Sequence, residues 1–395
     1  MNTRFVLALV LPAVLLPAPA HAAPAPTLDQ IYTALNVDTV PSDHVLLVDV
    51  SGAVDGDRYP AVRRNVTAYL DALSPDDFVT LIPFDGTARA TTRQVGRTPE
   101  TAGTGLPATA GGPHTDIGAA LRAAIRALGR PGAPPLATVV LLTGGPHAPG
   151  PGSAFPQARG EAWDTLTEQA AALDKTSLAA YAVPLSGRAG AAQLTRVFPA
   201  AAVLPAAGEL SARLARPVAE ARLAKARGLL AEEITLPVRV SWPVTAPGPG
   251  RTTVPVRVES PMPHVPLTLA DVVVTGDTPD VSVSVPAGPV ELPPGREITL
   301  PVRVDWDPGP VSFAPRRIVR DRVTLRLSAT VTSAWSPVLT GALGLTPRFA
   351  LAGAPAERDL SAQRGSLWRW IAVAVGLLLL TGLVLGRRFG QRGSS

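Results

Sequence analysis

Val45-Leu46-Leu47-Val48-Asp49-Val50-Ser51-Gly52-Ala53 reads as a buried strand that ends in an acidic, hydroxyl-bearing turn. Four consecutive apolar residues suit a parallel strand covered on both faces. Asp49 and Ser51 fall just past its carboxyl end, where an open α/β sheet places its ligands.

The pattern around this strand alternates between strand and helix. Strands are predicted at 44–49, 77–84, 88–95, 137–143, 177–184 and 201–204. Between them Val62, Val66, Leu70 and Leu73 line one helical face, Ile117, Leu121, Ile125 and Leu128 a second, and Leu166, Ala170 and Leu173 a third. Leu210 to Leu230 supplies the last helix, with Pro217 kinking or interrupting it. Such alternation predicts a doubly wound α/β unit over about 25–228: a mostly parallel six-stranded sheet with helices on both faces. Asp85-Gly86-Thr87 is a hairpin signal, so 88–95 is expected as one antiparallel edge strand.

Four landmarks in order resemble the von Willebrand factor type A family. They are Asp49-Val50-Ser51-Gly52-Ala53, Phe84-Asp85, the stretch Gly112-Pro113-His114-Thr115-Asp116 with the helix behind it, and Val139-Val140-Leu141-Leu142-Thr143-Gly144-Gly145. The resemblance covers about half the chain. It implies a metal-ion-dependent adhesion site in which two serines and a threonine hold a divalent cation and two aspartates support it. By motif match Asp49, Ser51 and Thr115 are the candidate metal residues. Ala53 lacks the second hydroxyl, and Gly144 stands where the family pattern has an aspartate. A hard cation needs oxygen ligands in near-octahedral geometry, so metal binding is expected to be weak or lost, with no cofactor beyond weakly held Mg²⁺.

The same residues have plainer uses. Thr115 can cap its helix with Asp116 in the first turn, and Asp49 and Ser51 can satisfy loop amides. Asp55 and Asp57 suit a turn; a calcium loop opening at Asp49 would have Pro60 in place of its bidentate Glu. His114, His147 and Asp49 form an alternative N/N/O set for zinc or another transition ion. The Pro/Gly-rich loop 144–158 carries Phe155, either a partner anchor or a residue packed on the sheet. Asp49, Ser51, Asp55, His114, Thr115 and His147 make up the expected partner-binding face.

Both termini read as membrane addresses. Residues 1–22 hold Arg4, an apolar run from Phe5 to Leu16 and Ala20-His21-Ala22, the pattern of a secretory signal peptide. Residues 367–386 are expected as a transmembrane helix: Leu367 to Leu385 contains one charge, Arg369, with Trp368 and Trp370 at the outer interface. Residues 387–395 form a basic tail on the cytoplasmic side. Gly376 and Gly382 are not spaced for helix pairing.

The chain has 395 residues, 43 Pro, 35 Gly and no Cys, which excludes disulfides and thiolate chemistry. Without Arg4, Arg387, Arg388 and Arg392, 32 basic residues face 31 acidic ones, so the body carries no nucleic-acid footprint.

Over about 232–350 helical periodicity gives way to alternation, as in Val323, Leu325, Leu327, Ala329 and Val331. Strands at 233–242, 252–259, 266–275, 280–285 and 297–306 predict an all-β, immunoglobulin-like sandwich, with 351–366 as linker. Ile234-Thr235-Leu236-Pro237-Val238-Arg239-Val240-Ser241-Trp242 returns as Ile298-Thr299-Leu300-Pro301-Val302-Arg303-Val304-Asp305-Trp306, and Thr253 to Val258 is a partial copy. The prolines point to edge or strand-start positions. The arginines form either a ligand-binding stripe or a solvated face.

The expectation is a non-enzymatic, single-pass membrane protein with its body outside the cell, binding a protein partner in adhesion or complex assembly. A metal-assisted hydrolase at Asp49/Ser51 is a second reading. No His-Glu-x-x-His, nucleophile elbow or phosphate loop accompanies that pair. A structural subunit of a cell-envelope complex is a third.

Overall fold

The computed structural model describes residues 25–390 except 55, 98–104, 187–189, 310–316 and 366, and the side chains of 367–369 and 383–390 fall outside that description. The signal-peptide segment 1–22 and Asp55 therefore lie outside the described residues.

The chain enters with a helix absent from the sequence reading, α1 (Leu28–Leu35). Thr27 and Gln30 close a capping box at its start, and Asn36 ends it in the left-handed conformation at φ 52°. Then come β1 (Asp43–Asp49), α2 (Arg58–Asp71), β2 (Phe78–Phe84), β3 (Thr91–Gln94), α3 (Ile117–Leu128), β4 (Leu136–Thr143), α4 (Glu161–Ala171), β5 (Ser177–Pro184), α5 (Ala191–Val197), β6 (Ala202–Val203) and α6 (Leu210–Glu233). The six strands lie in the order β3-β2-β1-β4-β5-β6. All neighbours are parallel except β2 and β3.

Every residue of β1 and of β4 is buried, as their apolar runs require. One face of the sheet packs against α3, α4 and α5 through residues such as Val45, Leu47, Leu121 and Trp163. The other packs against α2 and α6 through Leu46, Val48, Val66 and Leu214. Pro217 does not interrupt α6: the helix is continuous over 24 residues.

The rest of the body is a two-layered β structure. Its strands are β7 (Val238–Ser241), β8 (Gly250–Glu259), β9 (Leu267–Gly276), β10 (Val281–Ser284), β11 (Val290–Leu292), β12 (Glu297–Trp306), β13 (Arg317–Thr332), β14 (Leu351–Ala352) and β15 (Ala356–Arg364), with a short α7 (Ser336–Gly341) after β13. One sheet runs β10-β12-β8-β7-β14 and the other β11-β9-β13-β15. Val256, Val302, Val304 and Trp306 of the first meet Leu269, Val323, Leu325 and Leu360 of the second in one core. Residues 351–366 are not a bare linker, because β15 pairs with β13 along its whole length. The expected strand 233–242 is shorter, since α6 runs to Glu233 and only Val238–Ser241 is extended.

The repeat prolines correct a second expectation. Pro255 and Pro301 are not on edge strands; they face each other across the β8–β12 ladder. Ser260 N donates to Arg296 O at 2.9 Å, which fixes the ladder's parity. Pro255 and Pro301 then fall on a pair whose nitrogens point away from each other. On those outer sides β7 reaches only Arg257 and β10 only Arg303, so neither missing N–H would have met a ladder partner. The arginine stripe is a solvated face: Arg239, Arg251 and Arg257 sit 3.6–3.9 Å from Glu259, Asp305 and Glu297.

After β15 the chain forms α8 (Leu367–Gly390), with Leu377 to Leu380 exposed. Among the described residues no helix is long and apolar enough to cross a membrane. Trp368, Arg369, Arg387 and Arg388, whose flanking positions carried the transmembrane expectation, have no described side chains.

Candidate functional site

Strand order reverses at β1: the chain runs from it to β2 and β3 on one side and then crosses to β4, β5 and β6 on the other. The crevice of a doubly wound sheet opens there, beyond the carboxyl ends of the strands. Asp49 is the last residue of β1 and is 0% exposed.

Both oxygens of its carboxylate are held by the chain. Oδ1 accepts from Ser51 N at 3.0 Å and from Ser51 Oγ at 2.6 Å. Oδ2 accepts from Gly144 N at 2.9 Å, and Thr143 Oγ1 divides its one proton between Oδ2 at 3.3 Å and Gly145 O at 3.1 Å. Thr115 Oγ1 donates to Ser51 Oγ at 2.9 Å, and Ala53 N reaches the same oxygen at 3.3 Å. Asp49, Ser51 and Thr115 are thus brought together as the motif match implied. Donors from three loops converge where a cation's field would otherwise act.

The two departures from the family pattern have different geometry. Ala53 is exposed at the rim. Gly144 is buried and closed over: a Cβ there would meet Val54 Cγ2 at 2.5 Å and Ala53 O at 2.6 Å. The turn after β1 occupies the space a longer residue would need.

Thr115 does not cap its helix. Asp116 is the N-cap of α3, with Oδ1 accepting from Ala119 N at 2.9 Å. Its Oδ2 accepts from Ser153 Oγ at 2.5 Å, which ties in the loop 144–158. Thr115 instead bridges to Ala148 through both backbone groups, at 2.7 and 2.9 Å.

The N/N/O set is not formed. His147 Nδ1 accepts from Ile117 N at 3.2 Å and Nε2 meets Phe155 O at 2.7 Å, so Nε2 carries the proton and both nitrogens are occupied. The ring lies edge-on to Trp163 at 5.2 Å. His114 is half-buried, with Gly86 and Gly150 against its side chain. Among the described residues no three His, Asp or Glu side chains converge as a metal cluster. Phe155 is packed rather than presented: it is 3% exposed and lies against Gly118 and Trp163.

The sequence reading missed Gly144 N, Thr143 Oγ1 and Ser153 as partners. A Thr directly before the Gly-Gly pair was the available signal for the first two.

No protein-family model matches the chain, and no curated protein matches it. Among solved structures it is similar to the PilB minor pilin from Streptococcus sanguinis at 14% identity over 47% of this chain and 62% of that one, TM-score 0.36. It is similar to a von Willebrand factor type A protein from Catenulispora acidiphila at 15% identity over 82% of this chain and 66% of that one, TM-score 0.32. It is similar also to BatB from Bacteroides thetaiotaomicron at 12% identity over 46% of this chain and 98% of that one, TM-score 0.32. The chain spans less than two thirds of the pilin's length. The strand order of this chain is doubly wound, and Asp49, Ser51 and Thr115 meet at its switch point.

Proposed function

We propose that this chain is a membrane-anchored, extracytoplasmic protein that binds a protein partner, in adhesion or in assembling a complex. Its contact face is the rim around Asp49, and binding proceeds without a divalent ion there. The observation that carries this reading is the closed shell of Asp49: the Ser51 amide and hydroxyl hold Oδ1, the Gly144 amide holds Oδ2, and Gly144 is capped by the turn at Ala53 and Val54. Recognition then falls to the loops around it, with Ala53, His114 and Pro146 reaching the surface.

The anchor reading rests on the sequence of 367–388 and on the continuous helix there. The hydrolase reading has less support. Ser51 is 2% exposed and Asp49, which accepts its hydroxyl proton at 2.6 Å, is 0% exposed, so the pair is closed to a substrate.

The test is capture with the full chain in detergent, with and without EDTA, beside Ala53→Arg, which places a bulky charge on the rim. A partner retained in EDTA and lost with Ala53→Arg is the expected result. Loss in EDTA overturns metal-free recognition, and retention by Ala53→Arg overturns the choice of face.

A further inference from the structure

α6 belongs to both halves of the body. Near its start Arg213 Nη2 donates to the carbonyl of Pro184, the last residue of β5, at 2.6 Å. The helix then runs back along the sheet. At the opposite end Lys225 Nζ donates to Asp77 Oδ1 at 2.7 Å, just ahead of β2. Both side chains are buried, at 1% and 3% exposure. Ser42 N and Oγ, at 2.8 and 2.7 Å, and Ser74 N, at 2.9 Å, complete the shell of Asp77.

Beyond Lys225 the helix enters the β structure. Ala226, Leu230 and Ile234 share a core with Val256, Val302 and Trp306, and α1 adds Ile31 and Leu35 to it. Arg227 Nε donates to Leu343 O at 2.7 Å. Glu233 closes the helix with a carboxylate 4% exposed. Its Oε1 accepts from His264 N at 2.7 Å and Val265 N at 2.9 Å, and its Oε2 meets His264 Nδ1 at 2.9 Å.

Two groups of buried charge, at Lys225 and Glu233 in the second half of α6, thus hold both halves of the body to one helix. Leaving either carboxylate without its partners in the interior is costly. Parting the halves would also bare the apolar faces of α1 and of the last turns of α6.

We infer that α1 and α6 make the α/β half and the β half a single cooperative unit, with the Asp49 face held at the end of the sheet remote from the β half. β1 has 7 residues, so that face lies about 20 Å from the Lys225 cradle. This holds whether or not the face binds a partner.

The experiment is hydrogen exchange on the full chain, wild type against Glu233→Gln and Lys225→Met. The Glu233 carboxylate is bonded to the 264–265 loop, yet Glu233→Gln should lower protection in β1 and β4 by the same factor as in β8 and β12, tenfold or more. Lys225→Met should do the reverse, reaching β8 and β12. A loss confined to the half that holds the altered contact overturns the inference, as does a change under twofold everywhere. Should a variant fail to fold, calorimetry of the wild type decides: one transition supports a single unit, and two separate transitions overturn it.

Discussion

The backbone amide of Gly144 donates to Asp49 Oδ2 at 2.9 Å. The position where the type A pattern has a second carboxylate therefore supplies a donor to the first. Replacing Asp49 with Asn turns one acceptor oxygen into a donor facing donors. Hydrogen bonds to a charged group are worth about 1.5–3 kcal/mol each and are not additive, so Asp49→Asn should cost roughly 2–4 kcal/mol. Urea unfolding measures this; a cost below about 1 kcal/mol would mean that the carboxylate does not hold the turns after β1 and β4 together.

Gly144→Asp and Ala53→Ser separate the two positions that differ from the type A pattern. The serine hydroxyl at an exposed rim position should change stability by less than about 0.5 kcal/mol. The aspartate must displace Val54 Cγ2 and the Ala53 carbonyl, which a Cβ alone would meet at 2.5 and 2.6 Å. Overpacking of that kind costs about 1–3 kcal/mol. Magnesium titration by calorimetry should stay flat for wild type and Ala53→Ser, and for Gly144→Asp as well. Millimolar heat in the aspartate variant would show that the turn yields to a metal.

Much of this was legible in the chain. Four apolar residues before Asp49 gave the central strand, and strand–helix alternation gave a parallel sheet with one antiparallel edge, because both signals come from burial on a fixed period. What escaped was set by contacts distant in sequence. Whether Gly144 was open or closed depends on where Val54 lands. Pro255 and Pro301 looked like edge residues because parity and the lengths of β7 and β10 are not written locally. Charged Glu357, Arg358 and Asp359 disguised β15 as linker: Glu357 and Asp359 lie on its wet face, while Arg358 is part-buried and donates to the Pro243 carbonyl. Lys225 had a signal that went unused: it is one of two lysines in a chain whose other strong bases are all arginine.

Gly118 and Phe155 form a testable couple. A Cβ on Gly118 would run into the Phe155 ring. In an ordinary helix Gly→Ala gains about 1 kcal/mol; here Gly118→Ala should instead destabilise, by about 1–3 kcal/mol. Phe155→Ala alone should cost about 3–5 kcal/mol. The double variant should recover part of the sum, because the smaller side chain vacates the space the new methyl needs. Strict additivity in a double-mutant cycle would separate the loop from the helix.

His44 makes stability fall in mild acid. Burial pushes its pKa down to about 4; Asp77 opposes the shift and Lys225 adds to it. The geometry agrees. Ser42 Oγ donates to Asp77, so His44 Nε2 donates to Ser42 Oγ at 3.0 Å. Nδ1 is then left to accept from Tyr69 OH at 2.8 Å, and a second proton there would have to turn that hydroxyl hydrogen away. The folded pKa lies below the unfolded value of 6.5, so between those two pH values the unfolded chain binds the extra proton. Stability is therefore full above about pH 6.5 and declines as pH falls toward 4, by roughly 2–3 kcal/mol. Urea midpoints for wild type and His44→Gln at pH 7.5 and 4.5 measure this portion, since carboxylates titrate alike in both. An equal acid loss in the two proteins would show that His44 takes up its proton in the folded state.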